Sequence, residues 1–259
     1  LHTTEPRVFA NRTYVRHQFV RIGSLQTIYN HLTDLITVKL IEHGYLPLHA
    51  ACIVSSRGSS ALICAPPETG KTTTALLARE EGYQLVSDDI TVTDGLNSMP
   101  GFMEGVRVYS YAFLARSTAL KDRLRRSALW LIYQLGLGAY AGLVLPVGGI
   151  RVRKVFGDSA RITHLLFLSH GPNPMATPID RSNAKKFMWA LQRAEFCWSS
   201  NPILQCFDYF HGLLRLQSVE ERENALLDTL IRNSSGIFLV EAPHPAAFLG
   251  VIKGIFPPA

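Results

Sequence analysis

Two short runs concentrate the chemistry of this chain, Ala65-Pro66-Pro67-Glu68-Thr69-Gly70-Lys71-Thr72 and Asp88-Asp89. The first has the form [AG]-x-x-x-x-G-K-[ST], in which a loop leading from a strand into a helix turns backbone N–H groups inward around the phosphates of a nucleotide. The dipole of the following helix adds partial positive charge at the same place. Lys71 supplies a full charge, and the Thr72 hydroxyl is a hard oxygen ligand of the kind Mg²⁺ prefers. Residues 65–72 with Thr73 are therefore the expected triphosphate-binding set, with Mg²⁺ as the accompanying metal. No base-recognition motif is legible, so ATP is the default nucleotide.

Such a motif needs a strand before it and a helix after it. Ala61-Leu62-Ile63-Cys64 is a short apolar run, as expected of a strand buried on both faces. Thr72 to Arg79 is rich in alanine and leucine, and Gly82 stands where a helix of about three turns would end. Gln84-Leu85-Val86-Ser87 then reads as a strand that delivers Asp88 and Asp89. Phosphoryl transfer needs in-line placement, charge neutralisation and an acceptor for the nucleophile's proton. A neighbouring carboxylate and a bound Mg²⁺ would split the pKa values of the two aspartates and leave one of them available as a base.

Elsewhere the pattern alternates. An amphipathic helix is expected from Ser24 to Gly44, with Leu25, Ile28, Leu32, Leu35 and Ile36 on one face. Strands are expected at 50–55 and 60–64 around a Ser56-Arg57-Gly58-Ser59 turn, then at 90–93 before Asp94-Gly95, at 106–109, at 162–168 and at 237–240. Further helices are expected at 183–194, with Phe187 and Leu191 on one face, after Asn201-Pro202, from a Ser218-Val219-Glu220-Glu221 capping box, and after His244-Pro245. This alternation implies an α/β (α+β) architecture around one sheet.

With 259 residues, 47% hydrophobic and 18% charged, the chain suits a single large domain. Its expected parts are an N-terminal segment with a covering helix (1–46), a nucleotide-binding core (47–110), a helical or apolar insertion (111–150) and C-terminal strands and helices (151–259). Leu1 to Arg21 is polar and basic, unlike a signal peptide, and the missing initiator Met suggests a trimmed start. Cys52, Cys64, Cys197 and Cys206 have no metal-ligand spacing and read as reduced, buried thiols in a cytoplasmic setting.

The net charge of +6 is partly gathered at residues 116–126 and 151–154, basic runs that would suit an anionic partner or a solvated face. No nucleic-acid-binding motif accompanies the charge, so nucleic acid is not an expected partner. Residues 127–150 carry no charged side chain. Their length would permit a membrane span, but Gln134, Pro146 and five glycines make a poor continuous helix. A buried insertion or an oligomer contact is expected there, with a peripheral membrane contact as the alternative.

The run His49-Ala50-Ala51-Cys52-Ile53-Val54, the Ala65–Thr72 loop and Gly82-x-x-Leu85-Val86-x-Asp88-Asp89 together resemble the HPr kinase/phosphorylase family and its smaller relatives. The resemblance covers roughly residues 49–95 and implies the P-loop fold shared with phosphoenolpyruvate carboxykinase, a mixed sheet with covering helices. The spacing from Lys71 to the two aspartates matches the family, while that from His49 to Lys71 is one residue longer. It implies that Lys71 contacts the nucleotide phosphates, that Thr72 binds Mg²⁺, that Asp89 is the catalytic base with Asp88 beside the metal or substrate, and that His49 lies next to the transferring group. The two aspartates could exchange roles. The family's later I-R-G signature is missing. Its nearest counterparts are Glu104-Gly105-Val106-Arg107, which makes Glu104 a candidate metal ligand and Arg107 a candidate substrate contact, and Arg151 in Gly-Gly-Ile-Arg.

The expected function is that of an ATP-dependent kinase passing the γ-phosphoryl group to a hydroxyl, foremost a serine in a small molecule, peptide or protein tail. A nucleotide-binding regulatory module or weak ATPase is the alternative. A homo-oligomer is compatible with either.

Overall fold

The computed structural model describes residues 26–56, 58–100 and 159–258. Ser24, the expected strand at 106–109, the insertion at 111–150 with its uncharged stretch 127–150, and the candidates Glu104, Arg107 and Arg151 lie outside the described residues. Within them the chain forms a mixed α/β fold with an open sheet and several helices. In order these are α1 (Gln26–Glu42), β1 (Leu46–Leu48), β2 (Ala50–Val54), β3 (Ser60–Cys64), α2 (Lys71–Glu80), β4 (Gln84–Ser87), β5 (Thr91–Thr93), β6 (Asn97–Pro100), β7 (Ala160–His170), β8 (Met175–Pro178), α3 (Arg181–Glu195), α4 (Pro202–His211), α5 (Leu216–Asn233), β9 (Gly236–Ala242) and α6 (Pro245–Ile255).

The central strands read as unbroken apolar runs because both their faces are covered. On one side Ala50, Cys52, Leu62, Cys64, Leu165 and Phe167 pack with Val38 and Ile41 of α1, Met188 of α3 and Leu227 of α5. Their alternate neighbours Ala51, Ile53, Ala61, Ile63, Leu166 and Leu168 pack on the other side with Ala75 and Ala78 of α2 and Phe248 and Ile252 of α6. The period of two is thus present in the packing although the hydropathy pattern hides it.

The sheet mixes directions. β2 lies antiparallel to both β3 and β4, whereas β3–β7 and β7–β9 are parallel. β1, β5 and β6 form an antiparallel run that meets the sheet at the first residues of β7. Three short strands, β1, β6 and β8, have no signature in the sequence. Each contains a proline, at position 47, 100 or 178, which weakens the alternation on which strand recognition depends; β1 and β8 are edge strands, and in β6, which lies between β5 and β7, Pro100 falls beyond the residues paired with β7.

Several expectations need correction. Among the α1 side chains described, Asp34, Thr37, Val38 and Ile41 are buried and Leu35 packs partly buried against the same core as expected, whereas Ile36 is only half-buried; Leu25 and the side chains of Ile28 and Leu32 lie outside those described. The buried Asp34 carboxylate is tolerated there because it accepts from Asn201 Nδ2 at 2.8 Å. In α3 the buried stripe is Ala184, Met188 and Gln192, while Phe187 stays 42% exposed. Ser218 caps nothing, because α5 already begins at Leu216. The cap comes from α4 instead: the Asp208 carboxylate accepts from the amides of Leu214, Arg215 and Leu216 at 2.7–2.9 Å. Cys197 and Cys206 are exposed thiols, and only Cys52 and Cys64 are buried. By contrast, Asn201 accepts from Ile203 and Leu204 ahead of Pro202, and His244 caps α6 ahead of Pro245, as expected. No helix among the described residues is long and apolar enough to cross a membrane.

Candidate functional site

Antiparallel pairing decides where the chemistry gathers. Ala50 pairs with Cys64 and Cys52 with Ser87, so the start of β2 lies beside the ends of β3 and β4. His49 immediately precedes β2, residues 65–70 immediately follow β3, and Asp88-Asp89 immediately follow β4. Three segments far apart in sequence thus meet at one margin of the sheet. A short hydroxyl chain ties two of them, the end of β4 and the start of β2: Ser87 Oγ meets Thr91 Oγ1, which donates to the Ala50 carbonyl at 2.7 Å.

The loop delivers the chain into α2 through left-handed backbone. Gly70, at φ +101°, is the residue before the helix, and a Cβ there would stand 2.7 Å from Pro245 Cγ at the start of α6. Glycine is thereby required twice, for conformation and for the close approach. Glu68 also has a positive φ, +66°. Ala65 is buried with Ile63 and Ala75, so its methyl group fills core space rather than the loop. No side chain caps the first turn of α2, and no acidic residue sits in it. Its leading N–H groups therefore keep no side-chain partner, the arrangement that favours an anion.

Around this helix start stand five ionisable side chains. Lys71 Nζ is buried, has no hydrogen-bond partner and lies 3.8 Å from Asp89 Oδ1. His49 Nε2 lies 3.7 Å from the same oxygen, and His49 Nδ1 lies 2.7 Å from Glu195 Oε2 at the end of α3. Asp88 is 4% exposed and neither of its oxygens makes a well-formed hydrogen bond. Asp89 is the more open of the pair, with its side chain 35% exposed. It is held in a tight reversal, the Ile90 amide donating to the Asp88 carbonyl at 2.8 Å around φ +68° at Asp89. That is γ-turn geometry of the rarer hand, and left-handed backbone outside glycine costs about 1–2 kcal/mol.

Burial shapes the electrostatics. It pushes the Asp88 carboxyl from 3.8 up to about 6, against the pull of the nearby Thr72 hydroxyl and Lys71, with Asp89 adding to the rise. Burial likewise lowers the Lys71 ammonium, and the charges of Asp89 and Asp88 oppose this. Glu195 moves the other way: its hydrogen bond with His49 holds it below its ordinary value despite partial burial. Cys64, behind the loop, is pushed up to about 12 by burial, so it offers no thiolate. A buried cation and a buried carboxylate without well-formed hydrogen bonds, at an uncapped helix start, form a site whose hydrogen-bonding capacity the chain itself leaves largely unfilled.

The residues singled out from sequence therefore fall into three groups. His49, Lys71, Thr72, Asp88 and Asp89 come together. Pro66, Pro67 and Glu68 rim the loop and are exposed, and Thr69 is buried beneath it. Glu104, Arg107 and Arg151 lie outside the described residues. Glu195 was missed. It lies 106 residues beyond Asp89 in sequence, closes an ordinary amphipathic helix and has no local motif; only the pairing of helix ends with strand ends reveals it. Among the described residues no group of three or more His, Cys, Asp or Glu side chains converges as a metal cage. A shallow groove between α3 and α5, lined by Arg181, Lys185, Asp228 and Arg232, lies elsewhere and already contains an ion pair, Lys185–Asp228 at 2.7 Å.

A scan against models of protein families finds no match to this chain, and neither does a search of curated proteins.

Proposed function

We propose that this chain binds a nucleoside triphosphate, ATP by default, at residues 65–73 and transfers its γ-phosphoryl group to a hydroxyl, foremost that of a serine in a small molecule, peptide or protein tail. The observation that carries the reading is the buried pair Lys71 and Asp88, neither with a well-formed hydrogen bond, at the uncapped start of α2, with Asp89 and His49 alongside. A triphosphate would satisfy Lys71 and the leading amides of α2 together. Mg²⁺, which binds through one or two protein oxygens plus phosphate and water, would be held by Thr72 and Asp88 and would neutralise phosphate charge. The Asp88 oxygens, without a well-formed hydrogen bond, fit that role better than a fully hydrogen-bonded carboxylate would.

Asp89 is assigned as the base. It is the aspartate open to solvent, so an acceptor can approach it. In the transfer, the acceptor O–H proton passes to the Asp89 carboxylate and a new O–P bond forms. The bond from the γ-phosphorus to its bridging oxygen breaks, with its electron pair leaving on the diphosphate. Lys71 holds the phosphates through this change and His49 flanks the transfer path. A mixed sheet in which the strand before the loop has an antiparallel neighbour on one side and a parallel one on the other supports kinship with the HPr kinase and phosphoenolpyruvate carboxykinase type of fold.

The test is transfer of label from γ-labelled ATP with Mg²⁺ to a pool of hydroxyl acceptors, read by mass spectrometry, for wild type and Asp89→Asn. Wild type should label an acceptor. The variant should lose about 100-fold or more in transfer while retaining nucleotide binding within a few-fold. Label released only to water would replace the kinase reading with that of an ATPase. A fully active Asp89→Asn would remove Asp89 as the base.

A further inference from the structure

Glu195 has no part in the chemistry just described, yet it makes the shortest contact among the site's ionisable side chains, 2.7 Å to His49 Nδ1. We propose that Glu195 is a positioning residue that holds the His49 ring by accepting its Nδ1–H, so that Nε2 is the nitrogen presented to Asp89 and the transferring group. The kinetic consequence rests on the phosphotransfer reading above; the tautomer does not.

Three features argue for it. First, the ring nitrogens of a histidine are assigned by whichever hydrogen bond one of them makes, and a carboxylate can only accept at the pH where it is ionised. With Nδ1–H committed to Glu195, Nε2 is left facing Asp89 Oδ1 at 3.7 Å. Second, the carboxylate is built in rather than drifting. The last turn of α3 is pinned to the strand that leads into His49, Gln192 Nε2 donating to the Pro47 carbonyl at 2.8 Å.

The opposite side of the turn is locked by Arg193, which forms a two-nitrogen contact with buried Glu223 at 2.7 and 3.2 Å between the rings of Trp189 and Trp198. Third, apart from the looser approach of His49 Nε2 to Asp89 at 3.7 Å, no other described hydrogen bond or ion pair engages Glu195 or His49. A histidine beside a reacting group gains by being locked in orientation, because misplacement by an ångström costs rate rather than binding. Outer hydrogen-bond partners of metal-bound histidines contribute about 10- to 100-fold, and the same order is expected for a locked catalytic ring.

The experiment uses the full chain with His side chains labelled with ¹⁵N. Long-range ¹H–¹⁵N spectra report which ring nitrogen bears the proton, recorded on the basic plateau of His49's own titration. Wild type should show His49 as the Nδ1–H tautomer, and Glu195→Ala should convert it mainly to Nε2–H. Glu195→Gln, whose amide oxygen can still accept, should keep the wild-type tautomer.

In steady-state transfer, Glu195→Ala should lower kcat about 10- to 100-fold with KM for ATP unchanged within about three-fold, and Glu195→Gln should recover most of it. An unchanged tautomer in a folded Glu195→Ala, or an unchanged kcat, overturns the proposal. If wild type transfers no phosphoryl group, the functional reading fails, and the tautomer spectra still decide whether Glu195 sets the ring. Glu195 is more than a third exposed, so the variants should fold, and a backbone amide fingerprint verifies that they do.

Discussion

Asp88→Asn should make the protein more stable while disabling it. The wild-type carboxyl is raised from 3.8 to about 6 chiefly by burial. In the unfolded chain it ionises near its ordinary value, so between those two pH values the folded state binds more protons than the unfolded state. Stability must then fall as pH rises through that window and stay low above it. The full linkage amounts to about 3 kcal/mol. Asparagine removes the buried charge but also removes one of the counter-charges of Lys71, leaving Asp89 at 3.8 Å, so we expect a net gain of about 1–2 kcal/mol at pH 7.5.

Urea unfolding in EDTA without nucleotide, followed by tryptophan fluorescence, measures it; Trp198 is buried and should respond. Comparing variant with wild type cancels every other titrating group. The excess stability of the variant should shrink towards zero as the pH is lowered to about 4, where wild-type Asp88 is itself protonated. A variant no more stable than wild type at pH 7.5, or an excess that does not depend on pH, would refute the claim that Asp88 is held charged at a cost. Catalytic groups commonly sit in environments that are unfavourable to the fold, and this is the measurement that exposes it.

Two further substitutions test the frame around the site. Gly70→Ala forces a side chain into φ +101° and against Pro245 and should cost about 1–3 kcal/mol in urea unfolding and weaken nucleotide binding. Gly82→Ala, with a similar φ of +96° but open space around it, should show the backbone cost alone and leave binding intact, so equal losses in the two variants would count against the Pro245 contact. Asp208→Ala removes the acceptor for three amides ahead of α5 and should cost about 1–2 kcal/mol in unfolding free energy. It should also speed hydrogen exchange at Leu214, Arg215 and Leu216, and unchanged exchange would show that α5 needs no cap from α4.

The sequence by itself determined the local grammar of this protein. Its Gly-Lys-Thr turn between an apolar run and an alanine-rich helix announces the strand, loop and helix order. Asn201-Pro202 and His244-Pro245 announce helix starts, because capping and proline chemistry act over a few residues and are written in those residues. The edge strands β1 and β8, the short strand β6 and the buried polar positions of α1 escaped it, since prolines and partnered polar groups break the hydrophobic period that a reader of sequence depends on. Asp208 as the cap of α5 escaped it for another reason: its partners lie six to eight residues on, past a helix end.

Only the tertiary structure decided which candidates share a site. Antiparallel pairing of β2 with β3 and β4 brings His49, the loop and the two aspartates to one margin, and the tethered end of α3 adds Glu195 from more than a hundred residues away. Burial then made Asp88 and Asp89 unlike, one enclosed with its carboxyl pushed up, the other open in a strained turn. Identical neighbours in the sequence could not be distinguished before folding, because the dielectric around a side chain is a property of everything packed against it.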